Sequence, residues 1–203
     1  MADIIGSRKA DQQMLMDSFK EVIKYTNGKE KKNFLSPMTI TLGDEFQSVV
    51  NNLSAALEII LKIEERIIIT ESAFKLRYIL MEGKIETPLN KKIAYGMLGS
   101  GLTSAREYLA NLKTGKNRFY FKLINEKKGA ALNHAFFTLQ RLIDDWSIRK
   151  DYYIVSEFLQ HKDYKQVAID LDKERSLMWK REKSLKLEEY FAIKEVIKYI
   201  GGN

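Results

Sequence analysis

The chain has 203 residues, 45% of them hydrophobic, enough for one large domain or a medium domain with an appendage. Without cysteine it forms no disulfide, thiolate metal site or cysteine nucleophile, and two isolated histidines, His134 and His161, speak against a histidine-rich zinc centre. The formal net charge of +7 points to an anionic partner.

The basic residues gather in two places. Lys113, Lys116, Arg118, Lys122, Lys127 and Lys128 form one cluster, and Arg175, Lys180, Arg181, Lys183 and Lys186 the other. No apolar run reaches the roughly 18 residues of a membrane span, and the first residues lack the layout of a signal peptide. The expected location is therefore the cytoplasm, with no membrane partner.

Ala2 to Ile5 reads as a short strand, and Met14, Leu15, Phe19, Val22 and Ile23 set a helical stripe over residues 11–25. Asn27, Gly28 and the lysines to Lys32 read as a loop. Met38 to Leu42 and Phe46 to Val50 read as two strands of a hairpin with Gly43, Asp44 and Glu45 at its tip. A helix over 53–67, a strand over 74–81 and an amphipathic helix over 103–112 follow, giving βαββαβ with an extra helix. Phe119 to Ile124 adds an edge strand. The helix over 130–146 buries Leu132, Phe136, Leu139 and Ile143. From there on only helices are expected, with a boundary near Ser147: an α+β domain over 1–147 and an all-α tail over 148–203.

Asp3 lies in a strand of small and branched residues, and strand pairing would bring it to Asp44 and Glu45 at the hairpin tip. A carboxylate cluster of that kind suits Mg²⁺ or Mn²⁺, which prefer hard oxygen ligands and bridge nucleotide phosphates. Asp3, Asp44 and Glu45 are the candidate metal ligands, with Ser7, Arg8, Gly43 and Arg106 beside them as candidate nucleotide or phosphate contacts.

Ala-Asp-Ile-Ile-Gly-Ser-Arg at 2–8 and Thr-Leu-Gly-Asp-Glu-Phe at 41–46 resemble the two metal-binding motifs of class III nucleotide cyclases and diguanylate cyclases. The strand ending at Gly83, the loop through Gly96 and Gly99, and the helix carrying Arg106 continue the likeness. The whole layout resembles the SatD family, in which a cyclase-like region precedes a helix-turn-helix. That resemblance implies a ferredoxin-like, nucleotidyl-cyclase-like palm, a nucleotide partner and a homodimer. Departures at Leu42, and at Leu102 where class III cyclases carry a transition-state asparagine, weigh against a cyclase activity, because leucine donates no hydrogen bond to developing charge. Only Met1 and Ala2 precede Asp3, a short lead for a central strand.

In the tail, residues 163–171 and 174–200 read as two helices joined by a tight turn. Ala168 is small enough for close approach, and Leu171 and Met178 are set to pack between them. This resembles a helix-turn-helix. Arg175, Ser176, Trp179, Lys180 and Lys183 would then face duplex DNA. Residues 185–200 carry an apolar stripe fit to cover the first domain or a second copy. Trp146, Tyr152 and Tyr153 are expected in the tail's core.

Overall fold

The computed structural model describes residues 1–7, 12–113 and 115–202. Its order is β1 (Ala2–Ile4), α1 (Gln12–Lys29), β2 (Phe34–Ile40), β3 (Glu45–Val50), α2 (Leu53–Ile69), β4 (Leu76–Met81), α3 (Ser100–Leu112), β5 (Phe119–Lys122) and α4 (Glu126–Asp144). Four further helices follow: α5 (Tyr152–His161), α6 (Tyr164–Asp170), α7 (Arg175–Ser184) and α8 (Leu187–Gly202). The α+β class expected from the sequence is the one observed.

One five-stranded sheet has the order β2-β3-β1-β4-β5, antiparallel except where β5 lies parallel to β4. The first four strands follow the order of a split βαβ unit, with β1 between the strands of the two later segments. Pro37 hid the first half of β2 in the sequence. Proline is tolerated because β2 is an edge strand, and the ladder shifts register on both sides of Ser36.

Side chains alternate across the sheet, so its two faces differ in kind. Ala2, Ile4, Phe46, Leu76, Tyr78, Phe119 and Phe121 turn to the main core. Phe136 of α4 packs there on Phe119 and Phe121 with ring centroids 5.0 and 4.5 Å apart. A buried ionic network sits in the same layer. Arg118 donates to Glu64 Oε2 at 2.8 Å, to Asp144 Oδ1 at 3.2 Å and to the Leu76 carbonyl at 3.1 Å, while the Tyr78 hydroxyl donates to Glu64 Oε1 at 2.8 Å. Arg118 is therefore a structural cation and does not belong to the basic surface cluster in which the sequence set it.

The opposite face carries α3, through Ile79, Ala105 and Leu109 and a Tyr108–Tyr120 stack at 5.3 Å. Gly83 and Gly101 let the end of β4 and the start of α3 touch backbone to backbone; a Cβ on Gly83 would stand 2.6 Å from the Gly101 Cα.

Several boundaries moved. Asn27 and Gly28 belong to α1, held there by the Asn27 side chain, which bonds both the Met38 N–H and carbonyl. Met14 is exposed rather than part of the buried stripe. The long helix expected over 174–200 is two helices. The Trp146 indole donates to the Leu185 carbonyl at 2.9 Å and Lys186 takes a left-handed φ of 54°, which ends α7 and starts α8. Trp146 and Tyr152 are buried as expected, whereas Tyr153 is exposed.

The change of element type at Ser147 does not divide the core. One hydrophobic cluster runs from Ala2 to Ile197, with α5 packed on α2 and α8 on both α2 and α4. Tyr190 of α8 is fully buried, and its hydroxyl donates to Glu65 of α2 at 3.1 Å; Lys194 pairs with the same carboxylate.

Candidate functional site

The acids are positioned by strand register. Asp3 of β1 pairs with Glu45 of β3 on one side and Arg77 of β4 on the other, which sets three charged side chains in a row on the α3 face. All three are buried. Arg77 Nη1 donates to both Asp3 oxygens, at 3.0 and 3.1 Å. From α3 and its C-cap, Arg106 and Lys113 lie seven residues apart, about two turns of helix, and so reach the same side. Lys113 Nζ stands 3.4 Å from Asp3 and Arg106 4.0 Å from Glu45, both side chains more than half exposed. Burial pushes the Asp3 carboxyl above its ordinary range, and the attraction of Arg77 and Lys113 recovers only part of that shift.

Asp44 lies at the hairpin tip, where Gly43 has a φ of 78° that favours glycine. Its carbonyl accepts the Ile4 N–H at 2.9 Å, tying the tip to β1, and its carboxylate accepts the Ser7 hydroxyl at 2.6 Å. Arg8 lies outside the described residues.

Register thus brings Asp3 beside Glu45, and the hairpin brings Asp44 beside Ser7. Among the described residues these three acids do not form a set whose donor oxygens all lie within 4.8 Å of one another. Asp3 also meets two cations already, so the trio does not fit a ready-made Mg²⁺ or Mn²⁺ cage. Sequence reading missed Arg77 as the partner of Asp3. Its signal, a lone arginine inside an apolar strand, was present at Leu76-Arg77-Tyr78.

A cavity of about 530 Å³ lies elsewhere, lined by Met1, Val50, Met81, Gly101, Leu102 and Ile124 among others. A recess of about 170 Å³ lies at the hairpin tip, between Ser7, Gln12, Leu42 and Asp44.

In the tail, α5 packs on α6 and α6 on α7. Val167, Ala168 and Met178 are buried between them, with Leu171 partly so. The turn from Leu171 to Glu174 contains Asp172 at a φ of 50°, in the left-handed conformation for which glycine is usual there. At about 100° per residue, Arg175, Ser176, Trp179, Lys180 and Lys183 span an arc of about 140° whose centre lies about 130° from Met178. All five are exposed. Lys183 pairs with Glu188 at 2.5 Å and Arg181 with Asp151, while Arg175 and Lys180 make no ion pair among the described residues.

The described residues therefore form a mixed α+β protein with a five-stranded sheet, buried charge on its thinly covered face, and a helical C-terminal region with an exposed basic helix. A family model described as the SatD family matches residues 1–200, and the chain belongs to that family. No curated protein and no solved structure matches it. Among the described residues no helix is long and apolar enough to cross a membrane.

Proposed function

We propose that this SatD family protein is a DNA-binding regulatory protein whose α6-turn-α7 segment is a helix-turn-helix, with α7 entering the major groove. The observation that carries the reading is the α7 surface. Its one buried residue, Met178, turns a basic, polar and aromatic face outward, and among the described residues Arg175 and Lys180 pair with no acid of the protein. Lysines on such a face neutralise phosphates, and Arg175 and Ser176 at the start of the helix stand nearest base edges. Two copies of the chain reading two half-sites would be the natural arrangement.

The test is an electrophoretic shift on duplex DNA at graded salt. Binding weakens as salt rises, and the Arg175→Ala/Lys180→Ala pair lowers affinity about tenfold or more and flattens the log–log salt slope by about 2. Binding that ignores both salt and these substitutions refutes the assignment.

A second reading gives the α3 face a nucleotide. Arg106 and Lys113 favour it, because both are exposed cations held only loosely over buried acids. Phosphates would draw Lys113 away from Asp3, and Mg²⁺ or Mn²⁺ would arrive with the nucleotide. Calorimetric titration of nucleoside triphosphates with and without Mn²⁺ checks it; Arg106→Ala and Lys113→Ala should each weaken any binding seen.

A further inference from the structure

Glu157 and His161 stand four residues apart on α5, so both project from the same side of that helix. Asp170, the last residue of α6, faces them from the neighbouring helix. His161 Nε2 lies 3.1 Å from Asp170 Oδ2 and 3.9 Å from Glu157 Oε2, and one donor atom from each residue falls within 4.8 Å of the others. Among the described residues this is the one such trio.

We propose that Glu157, His161 and Asp170 form a site for a divalent first-row transition ion, Zn²⁺ or a close relative. The distances carry the argument. Ligands about 2.0–2.1 Å from a tetrahedral ion stand about 3.3–3.4 Å apart. The two separations from Nε2 fall on either side of that value, and the two carboxylates lie within 4.8 Å of each other, so side-chain adjustments of about an ångström close the set. One imidazole with two carboxylates leaves a fourth position for water and is harder than a thiolate site and softer than an all-oxygen one. The neutral ring presents its Nε2 lone pair to the ion and keeps its proton on Nδ1. Gln166 Nε2 donates to Asp170 Oδ1 at 2.8 Å, which turns the other oxygen, Oδ2, toward the histidine.

Such an ion bolts the end of α5 to the end of α6, one residue before the turn that sets α7. Only this last consequence rests on the DNA reading; the site itself does not, and its test uses no DNA.

The experiment titrates tag-free full chain with Co²⁺, followed by visible absorption, with Zn²⁺ as competitor and thermal unfolding in parallel. One Co²⁺ per chain is expected, displaced by Zn²⁺, with the midpoint of unfolding raised by about 5–10 °C at a hundredfold excess over Kd. His161→Ala, Glu157→Gln and Asp170→Asn should each abolish the Co²⁺ bands, Gln166→Ala should weaken uptake about tenfold, and His134→Ala should change nothing. All these side chains are partly or well exposed, so the variants are expected to fold. No uptake by the wild-type chain, or uptake undiminished in His161→Ala and Asp170→Asn, overturns the proposal and leaves an ordinary surface contact between an imidazole and a carboxylate.

Discussion

Both faces of the sheet bury an arginine against a carboxylate, and they do so in opposite ways. On the main-core face, Arg118 and Glu64 are each about 96% removed from solvent, and each charge has several partners. On the α3 face, Asp3 and Arg77 are buried as well, but the next cations, Lys113 and Arg106, are more than half exposed. The partly exposed end of the first network is an anion, Asp144, already paired with Lys75, and the Arg118–Glu64 pair within serves to fix the packing. A pair with exposed neighbours keeps a route to solvent, and an anion or cation arriving from outside would compete there.

The sharpest way to break that contrast is to remove one arginine from each face. Arg118→Met strands Glu64 in the core and should destabilise by about 3–5 kcal/mol in urea unfolding. Arg77→Met leaves Asp3 to Lys113 and should destabilise less, by about 1–3 kcal/mol; equal losses would erase the distinction between the faces. Trp146→Phe keeps most of the packing but leaves the Leu185 carbonyl without its donor, for a loss of about 1 kcal/mol.

The smallest effect is a titration. Asp3 should lose its proton above the ordinary carboxylate range in a carboxyl-detected NMR titration, because burial outweighs its cations. A raised folded value means that the stability this group contributes is complete below the unfolded value near 3.8 and is lost as pH rises through the folded one. Asp3→Asn should remove that part of the pH dependence.

Much of this architecture was legible because helical stripes and strand alternation are local. The stripe Leu132, Phe136, Leu139 and Ile143 is buried in full, and Ala168 and Met178 pack as their spacing implied. What escaped depends on residues far apart in sequence. Arg77 meets Asp3 across 74 positions, and no local pattern announces which strand will lie beside β1. The break between α7 and α8 depends on an indole 39 residues upstream. Likewise, His161 reads as isolated until α6 folds back and brings Asp170 to it.

The return of α8 to the sheet has a consequence for dissection of the molecule. Residues 152–184 are bracketed in the chain by parts that share the main core, so they sit in it as an insertion does, and not as a detachable appendage. A chain cut after Ser184 would lose the cover that Leu187, Tyr190 and Ile197 give to α2 and α4, and the remaining domain would carry a raw apolar stripe. Proteolysis should nick the loops around α6 and α7 long before it frees either half.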